Sequence, residues 1–278
     1  MKLAVGGQLF DLSSRTHIMG ILNVTPDSFS DGGLYIEPAR AVERALRMVE
    51  EGADIIDIGG ESTRPGAASV GLDEETARIA PVIRAIKKKA SVPVSIDTWK
   101  APVARAALDE GADIINDISG MRFDASMPAL AARHGVPVVL MHIKGTPANM
   151  QKDPRYDALI PEILDYLRGS IRLAVDAGVA GGKIIVDPGI GFGKTAAHNM
   201  KILKDLEAFT GLGKPVLVGP SRKAFIGHVL GGAPTGERLE GTLAATVVAI
   251  MNGANIIRVH DVKEAVRAAK VADAIKRS

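Results

Sequence analysis

The 278-residue sequence contains no cysteine, which excludes disulfides, thiolate metal sites and cysteine nucleophiles. It also lacks a surplus of charge: 34 Lys and Arg stand against 32 Asp and Glu, a formal net charge of +2. So balanced a chain has no electrostatic footprint for nucleic acid, and no nucleic-acid partner is expected. No run of about 18 apolar residues occurs, so no membrane-spanning helix and no membrane partner are expected. The segment Met1 to Phe10 has one lysine and only short apolar pieces. It lacks the continuous apolar core of a secretory signal, which points to a cytoplasmic protein. The six histidines never fall at the i, i+4 spacing of a helical metal pair, so no protein-only zinc site is expected.

What is present is a folded-protein composition, 46% hydrophobic and 24% charged. The chain also repeats itself. Glu51-Gly-Ala-Asp-Ile-Ile-Asp57-Ile, Glu110-Gly-Ala-Asp-Ile-Ile-Asn116-Asp and Asn252-Gly-Ala-Asn-Ile-Ile-Arg258-Val share one pattern. In each, an Ala-rich helical stretch ends at Gly, a cheap left-handed cap, and a β-branched pair starts a strand. A second pattern opens strands with proline, where no interior ladder bond is lost: Val92-Pro-Val-Ser-Ile-Asp97, Val136-Pro-Val-Val-Leu-Met141 and Lys214-Pro-Val-Leu-Val-Gly219. With His17–Leu22 and Lys183–Val186 these make eight short apolar strands. Helical patterns separate them: 38–51, 73–89, 101–110, 127–134, 158–177, 199–210, 241–252 and 262–276.

Strands apolar on both faces belong to a parallel sheet, and eight strand–helix units predict a closed α/β TIM barrel, (β/α)8, rather than an open doubly wound sheet. The expected organisation is a single domain over residues 1–278, with 1–15 as a small antiparallel segment under the barrel.

Barrels of this kind carry their active site at the C-terminal strand ends. Nearly every strand here ends in a binding or ionisable group: Asn23, Asp57, Asp97, Asn116 with Asp117, His142, Asp187, Ser221 with Lys223, and Arg258 with His260. Any one could cap the next helix; eight together are a site. The loops 23–38 and 59–73 are long enough to act as lids. Asp187-Pro-Gly-Ile-Gly-Phe-Gly-Lys194-Thr195 ends like a phosphate-binding loop, but Pro188 stands where that motif needs its first glycine. Neither Ser62 nor Ser221 lies in Gly-x-Ser-x-Gly. Lys144 and Lys194 read as surface charges, and His142 reads as structural.

Two blocks, Met19-Gly-Ile-Leu-Asn-Val-Thr-Pro-Asp-Ser-Phe-Ser-Asp-Gly-Gly33 and Gly52-Ala-Asp-Ile-Ile-Asp-Ile-Gly-Gly-Glu-Ser-Thr-Arg-Pro65, resemble the signatures of the dihydropteroate synthase family of pterin-binding enzymes. Later blocks agree in order: Ser95-Ile-Asp-Thr98, Asn116-Asp-Ile-Ser-Gly120, Met141-His-Ile-Lys-Gly-Thr-Pro147, Asp187 to Lys194, Ser221-Arg-Lys223 and Arg258-Val-His-Asp261.

The resemblance implies transfer of a dihydropterin methylene group from its diphosphate to 4-aminobenzoate in folate biosynthesis, by a Mg²⁺-dependent homodimer. It implies that Asp187, Asp97, Asn116, Met141 and Lys223 hold the pterin. Asn23, Arg258 and His260 would hold the diphosphate, with Asn23 also a Mg²⁺ ligand. Phe29, Thr63, Pro65, Phe192, Ser221 and the Lys223 stem would hold the aminobenzoate, and Asp31 would offset a cationic intermediate. Asp31, Lys223, Arg258 and His260 make the expected catalytic set, while Asp57 is left as a supporting residue without a defined role.

Two departures are Ala224, where many relatives carry Ser, and Ile143-Lys144 after His142. The helix around Thr242–Met251 is apolar nearly all round, which fits a dimer face. The rivals are a corrinoid-type pterin methyltransferase, which needs neither the first lid nor Lys223 nor the Arg258–His260 pair, and a pterin-binding paralogue without turnover.

Overall fold

The computed structural model describes residues 1–25, 37–64, 66, 67 and 69–278. The chain begins with a hairpin, β1 (Lys2–Val5) and β2 (Gln8–Asp11), paired antiparallel. The barrel units follow: β3 (His17–Asn23), α1 (Glu37–Glu50), β4 (Ile55–Gly59), α2 (Leu72–Lys89), β5 (Val94–Asp97) and α3 (Ala101–Asp109). Next come β6 (Ile114–Asp117), α4 (Met127–His134), β7 (Val138–Met141), α5 (Leu159–Asp176), β8 (Ile184–Asp187), α6 (Ala196–Lys204) and α7 (Glu207–Thr210). The chain ends with β9 (Leu217–Val218), α8 (Ala224–Val229), α9 (Leu239–Met251), β10 (Ile256–Val259) and α10 (Val262–Arg277).

The strands pair in the order β8-β7-β6-β5-β4-β3-β10-β9, all parallel. A parallel bridge from Val186 to Val216, with the Val186 N–H donating to the Pro215 carbonyl at 2.9 Å, closes the last gap. The result is the expected (β/α)8 barrel. The three repeated glycines do the work assigned to them: Gly52, Gly111 and Gly253 have φ of +102°, +101° and +107°, a region open mainly to glycine.

Strand side chains alternate inward and outward, and the two sets build two different cores. Outward residues such as Ile56, Ile96, Ile115, Leu140 and Ile257 pack on the helices. Inward residues Met19, Ile55, Ile114, Val139, Ile185, Leu217 and Ile256 form an apolar layer. Leu3, Val5, Phe10 and Leu12 of the hairpin segment close that layer from below. Two residues further along, the inward positions change character: Asp57, Asn116, Met141, Asp187 and Arg258, joined by Asp97, which pairs with Asn116 in the ladder. The period of two thus places the polar set directly above an apolar floor.

Two local expectations are corrected. The segment 199–210 is two helices, α6 starting early at Ala196 behind the cap of Thr195 and His198, and the short α7. A further short helix, α8, follows Lys223.

Candidate active site

The C-terminal strand ends enclose a cavity of about 670 Å³. Its wall takes Asn23 from the end of β3, Thr63 and Arg64 from the loop after β4, and Asp97 from β5. Phe192 comes from the loop after β8, Ser221 and Lys223 from the loop after β9, and Arg258 and His260 from β10 and its end. Phe29, Asp31 and Pro65 lie outside the described residues.

The centre of the site is an ion network. Arg258 donates through Nε to Asp57 Oδ2 at 2.6 Å and through Nη2 to Asp97 Oδ2 at 2.6 Å. Asn116 Nδ2 donates to the same Asp57 oxygen at 3.1 Å. Asp57 is 0% exposed, and its Oδ1, like that of Asp97, is buried without a hydrogen-bond partner among the described residues. Burial first, opposed by Arg258 and reinforced by Asp57, pushes the Asp97 carboxyl up to about 7. Burial disfavours the Arg258 charge, but the two carboxylates outweigh it and keep the guanidinium ionised.

Asp187 ends β8 at the same rim, 6% exposed. Its Oδ1 accepts the Gly189 N–H at 2.7 Å, so the turn contact with the following loop is real. Burial raises this carboxyl to about 6, opposed by the Gly189 N–H and by the charges of Lys223, Lys194 and Arg258. Asp187 and Arg258 therefore share one electrostatic site. Met141 joins Ile118, Ile143, Met150 and Phe192 in an apolar cluster with Trp99 against it. Lys223 lays its ammonium 4.2 Å from the centre of the Phe192 ring. Burial, with Arg258 nearby, brings its pKa down to about 8.

Ser221 Oγ accepts the His260 N–H at 3.2 Å and shares a 2.9 Å bond with His260 Nδ1. Burial and Arg258 push the His260 pKa down to about 3, so the ring is neutral at physiological pH. Arg222, at φ +56°, fixes this loop by a forked contact with Asp261 at 3.0 and 2.5 Å. Ala224 opens α8 exposed on the cavity wall.

Lys194 corrects the sequence reading. It is not a surface charge but only 2% exposed, donating to the Phe192 carbonyl at 2.9 Å and bonded to His142 Nδ1 at 2.9 Å. The glycine turn before it lets its ammonium reach inward. Gly189 has φ +73°, and a Cβ there would stand 1.9 Å from the His142 carbonyl oxygen. His142 itself is buried and packs edge-on against Tyr166, in keeping with a structural role, while Lys144 is exposed.

A lysine after a glycine-rich loop ordinarily points to solvent, so the sequence carries no signal for the burial of Lys194. The repeat does align Asp57 with Asn116 and Arg258, and that alignment is the signal for its place in the network. Among the described residues no three His, Asp or Glu side chains converge as a metal cage.

The chain is similar to known proteins over nearly its whole length. A family model described as pterin binding enzyme matches residues 19–260. The chain is 50% identical over 275 residues to a dihydropteroate synthase of Synechocystis sp., covering 99% of this chain and 95% of the relative. It superposes on the Yersinia pestis dihydropteroate synthase with a sulfonamide drug complex at a TM-score of 0.94 and 46% identity, covering 100% of both chains. It also superposes on the Xanthomonas albilineans dihydropteroate synthase with 4-aminobenzoic acid at a TM-score of 0.94 and 42% identity, covering 100% of this chain and 98% of that one.

Proposed function

The chain belongs to the pterin-binding enzyme family, and on that premise we propose that it is a transferase of folate biosynthesis, joining 4-aminobenzoate to 7,8-dihydropterin-6-ylmethyl diphosphate. The C–O bond to the diphosphate breaks, the aniline nitrogen bonds the methylene carbon, and pyrophosphate and 7,8-dihydropteroate leave. The observation that carries this reading is one cavity of about 670 Å³, within the usual range for small-molecule sites, lined by Asp97 and by the cations Lys223 and Arg258, with the buried Asp187 carboxyl within electrostatic reach of both cations.

Asp187 accepts the paired N–H donors of the pterin edge in a fork, with Asp97 and Asn116 completing the polar contacts. Met141 covers the ring face. The Lys223 ammonium donates to the pterin, and its stem with Phe192 packs against the aminobenzoate. Ser221 and Thr63 contribute to that second pocket, and Phe29 and Pro65, outside the described residues, are assigned to the same substrate by the family resemblance. Arg258 and His260 meet the diphosphate, and as the methylene leaves, the fixed guanidinium stabilises charge growing on the departing oxygen. Positive charge on the methylene spreads into the pterin ring, with Asp31 offsetting it. The anilinium formed on attack is acidic enough to lose its proton to solvent, so no strong protein base is required. The neutral His260 donates a hydrogen bond rather than a charge.

Asn23 is half-buried on the cavity wall and offers one neutral oxygen. That donor suits Mg²⁺, which keeps several waters and takes its other oxygens from a diphosphate. When bound, the ion adds electrostatic stabilisation of the leaving pyrophosphate.

Val248 and Met251 of α9 and Val271 and Ile275 of α10 are exposed on neighbouring helices, which supports a homodimer through this face. No helix among the described residues is long and apolar enough to cross a membrane, and a cytoplasmic location is part of the reading. Sulfonamides are expected to compete with 4-aminobenzoate.

The test is incubation of purified protein with the pterin diphosphate, 4-aminobenzoate and Mg²⁺, following pyrophosphate and dihydropteroate. Pterin binding without product overturns the proposed reaction.

A further inference from the structure

Of the two carboxylates bonded to Arg258, Asp97 lines the cavity and Asp57 does not. Asp57 is fully buried on β4, and three features of its surroundings go together. Its Oδ2 takes the Arg258 Nε–H at 2.6 Å, a charge-assisted bond of the strong class. The same oxygen takes the Asn116 amide at 3.1 Å. Arg258 meanwhile reaches past β3, its ladder neighbour, to satisfy Asp57 on β4 and Asp97 on β5 together. A planar guanidinium held at Nε and at Nη2 has no rotational freedom left about its plane, so its remaining N–H groups face a direction set by the two carboxylates. Asp97 lines the cavity and is open to a substrate; Asp57 is not.

We propose that Asp57 is a positioning residue that aims Arg258 at the diphosphate of the bound substrate. This inference rests on the reaction proposed above. A bare cation on a long side chain would neutralise a diphosphate in many poses. One locked by two buried carboxylates presents a single pose, and the benefit of such preorganisation appears where charge develops. Arg258 without its carboxylate on β4 would turn toward Asp97 alone and lose that aim.

The charge of Asp57, rather than its shape, is the operative property, so Asp57→Asn is the informative variant. It keeps an oxygen for one donor and removes the anion. Calorimetry with two probes separates the halves of the site: pyrophosphate with Mg²⁺, and 6-hydroxymethyl-7,8-dihydropterin, which has no diphosphate. Loss of one charge-assisted contact predicts pyrophosphate affinity and kcat each falling by about tenfold or more, while affinity for the pterin alcohol changes by less than about threefold.

A double-mutant cycle adds the decisive reading: in an Arg258→Met background, Asp57→Asn should cost less than about twofold further, because its effect passes through Arg258. The pH profile supplies a readout that a merely structural residue would not move. Asp97 faces Asp57, Arg258, Glu75 and Lys223, and removing the Asp57 charge shifts the Asp97 titration to lower pH. Equal losses for both probes, or full additivity in the cycle, overturn the inference.

Should Asp57→Asn not fold, Arg258→Lys keeps the cation but cannot span two carboxylates. It should lose pyrophosphate affinity by the same factor, and unchanged affinity overturns the inference. Absence of turnover by the wild-type protein would instead strike the proposed reaction, so the two failures are distinguishable.

Discussion

Replacing Lys194 by Met removes a buried ammonium and keeps an unbranched chain of similar length, and its effect on stability should depend on pH. In the folded protein burial brings the Lys194 pKa from 10.5 down to about 7, with Asp187 opposing the drop and Lys223 adding to it. In the unfolded chain the group keeps its ordinary value. Between these two pH values the unfolded chain holds a proton that the folded protein releases, so the wild type becomes more stable as pH rises, by up to about 1.4 kcal/mol per unit.

Above the unfolded value the penalty is absent; below the folded value it is at its full size, on the order of 5 kcal/mol. The Met variant has no such term. It does lose the bonds to His142 Nδ1 and the Phe192 carbonyl, each worth about 1–3 kcal/mol when the partner is left buried and unpaired. The two effects nearly offset at neutral pH, so a single measurement there is uninformative, and the pH slope carries the test. Urea unfolding of both proteins between about pH 8 and about pH 10 should show the wild type gaining about 3 kcal/mol relative to Lys194→Met. Parallel stability curves would refute the claim that this lysine is buried and titrates low.

Asp187→Asn should weaken binding of the pterin alcohol by about tenfold to hundredfold in calorimetry, because a charged acceptor is lost. In the wild type the same affinity should fade as pH drops through about 6, where this carboxyl becomes protonated, and an affinity flat from pH 7 to about 5 would refute its role. Leu3→Ala removes a fully buried side chain from the layer under the barrel and should lower the unfolding free energy by about 2–5 kcal/mol without changing KM for either substrate. Gly189→Ala combines a left-handed φ with a clash against the His142 carbonyl, and should either abolish soluble protein or cost more than about 3 kcal/mol in a thermal melt; a normal melt would contradict the turn geometry.

The barrel was legible because its evidence is periodic. Three Gly-Ala-Asx-Ile-Ile repeats and three proline-led strands mark unit boundaries that glycine at φ near +100° then realises. The single helix expected over 199–210 became two because Asp205 and Leu206 leave the helix between Lys204 and Glu207, a break that apolar spacing does not reveal. The rim residues were legible as well, since strand ends are identifiable once strands are. Burial of individual side chains was not. Lys194 follows Gly193 in a loop, and nothing in the order of residues says that its ammonium turns under the Phe192 carbonyl. Asp57 was visible as an aligned position, but its partner lies 201 residues away in sequence.

Which residue types stand at the mouth of the cylinder was therefore settled by the chain itself, because alternation along a strand is a local rule and the repeats count the strands. Which of those groups touch one another was settled only by closure. Bringing β10 beside β3 sets the Arg258 guanidinium between Asp57 and Asp97, and the low dielectric of that enclosed space, not the identity of the residues, moves Asp97, Asp187, Lys194 and Lys223 toward neutral pH.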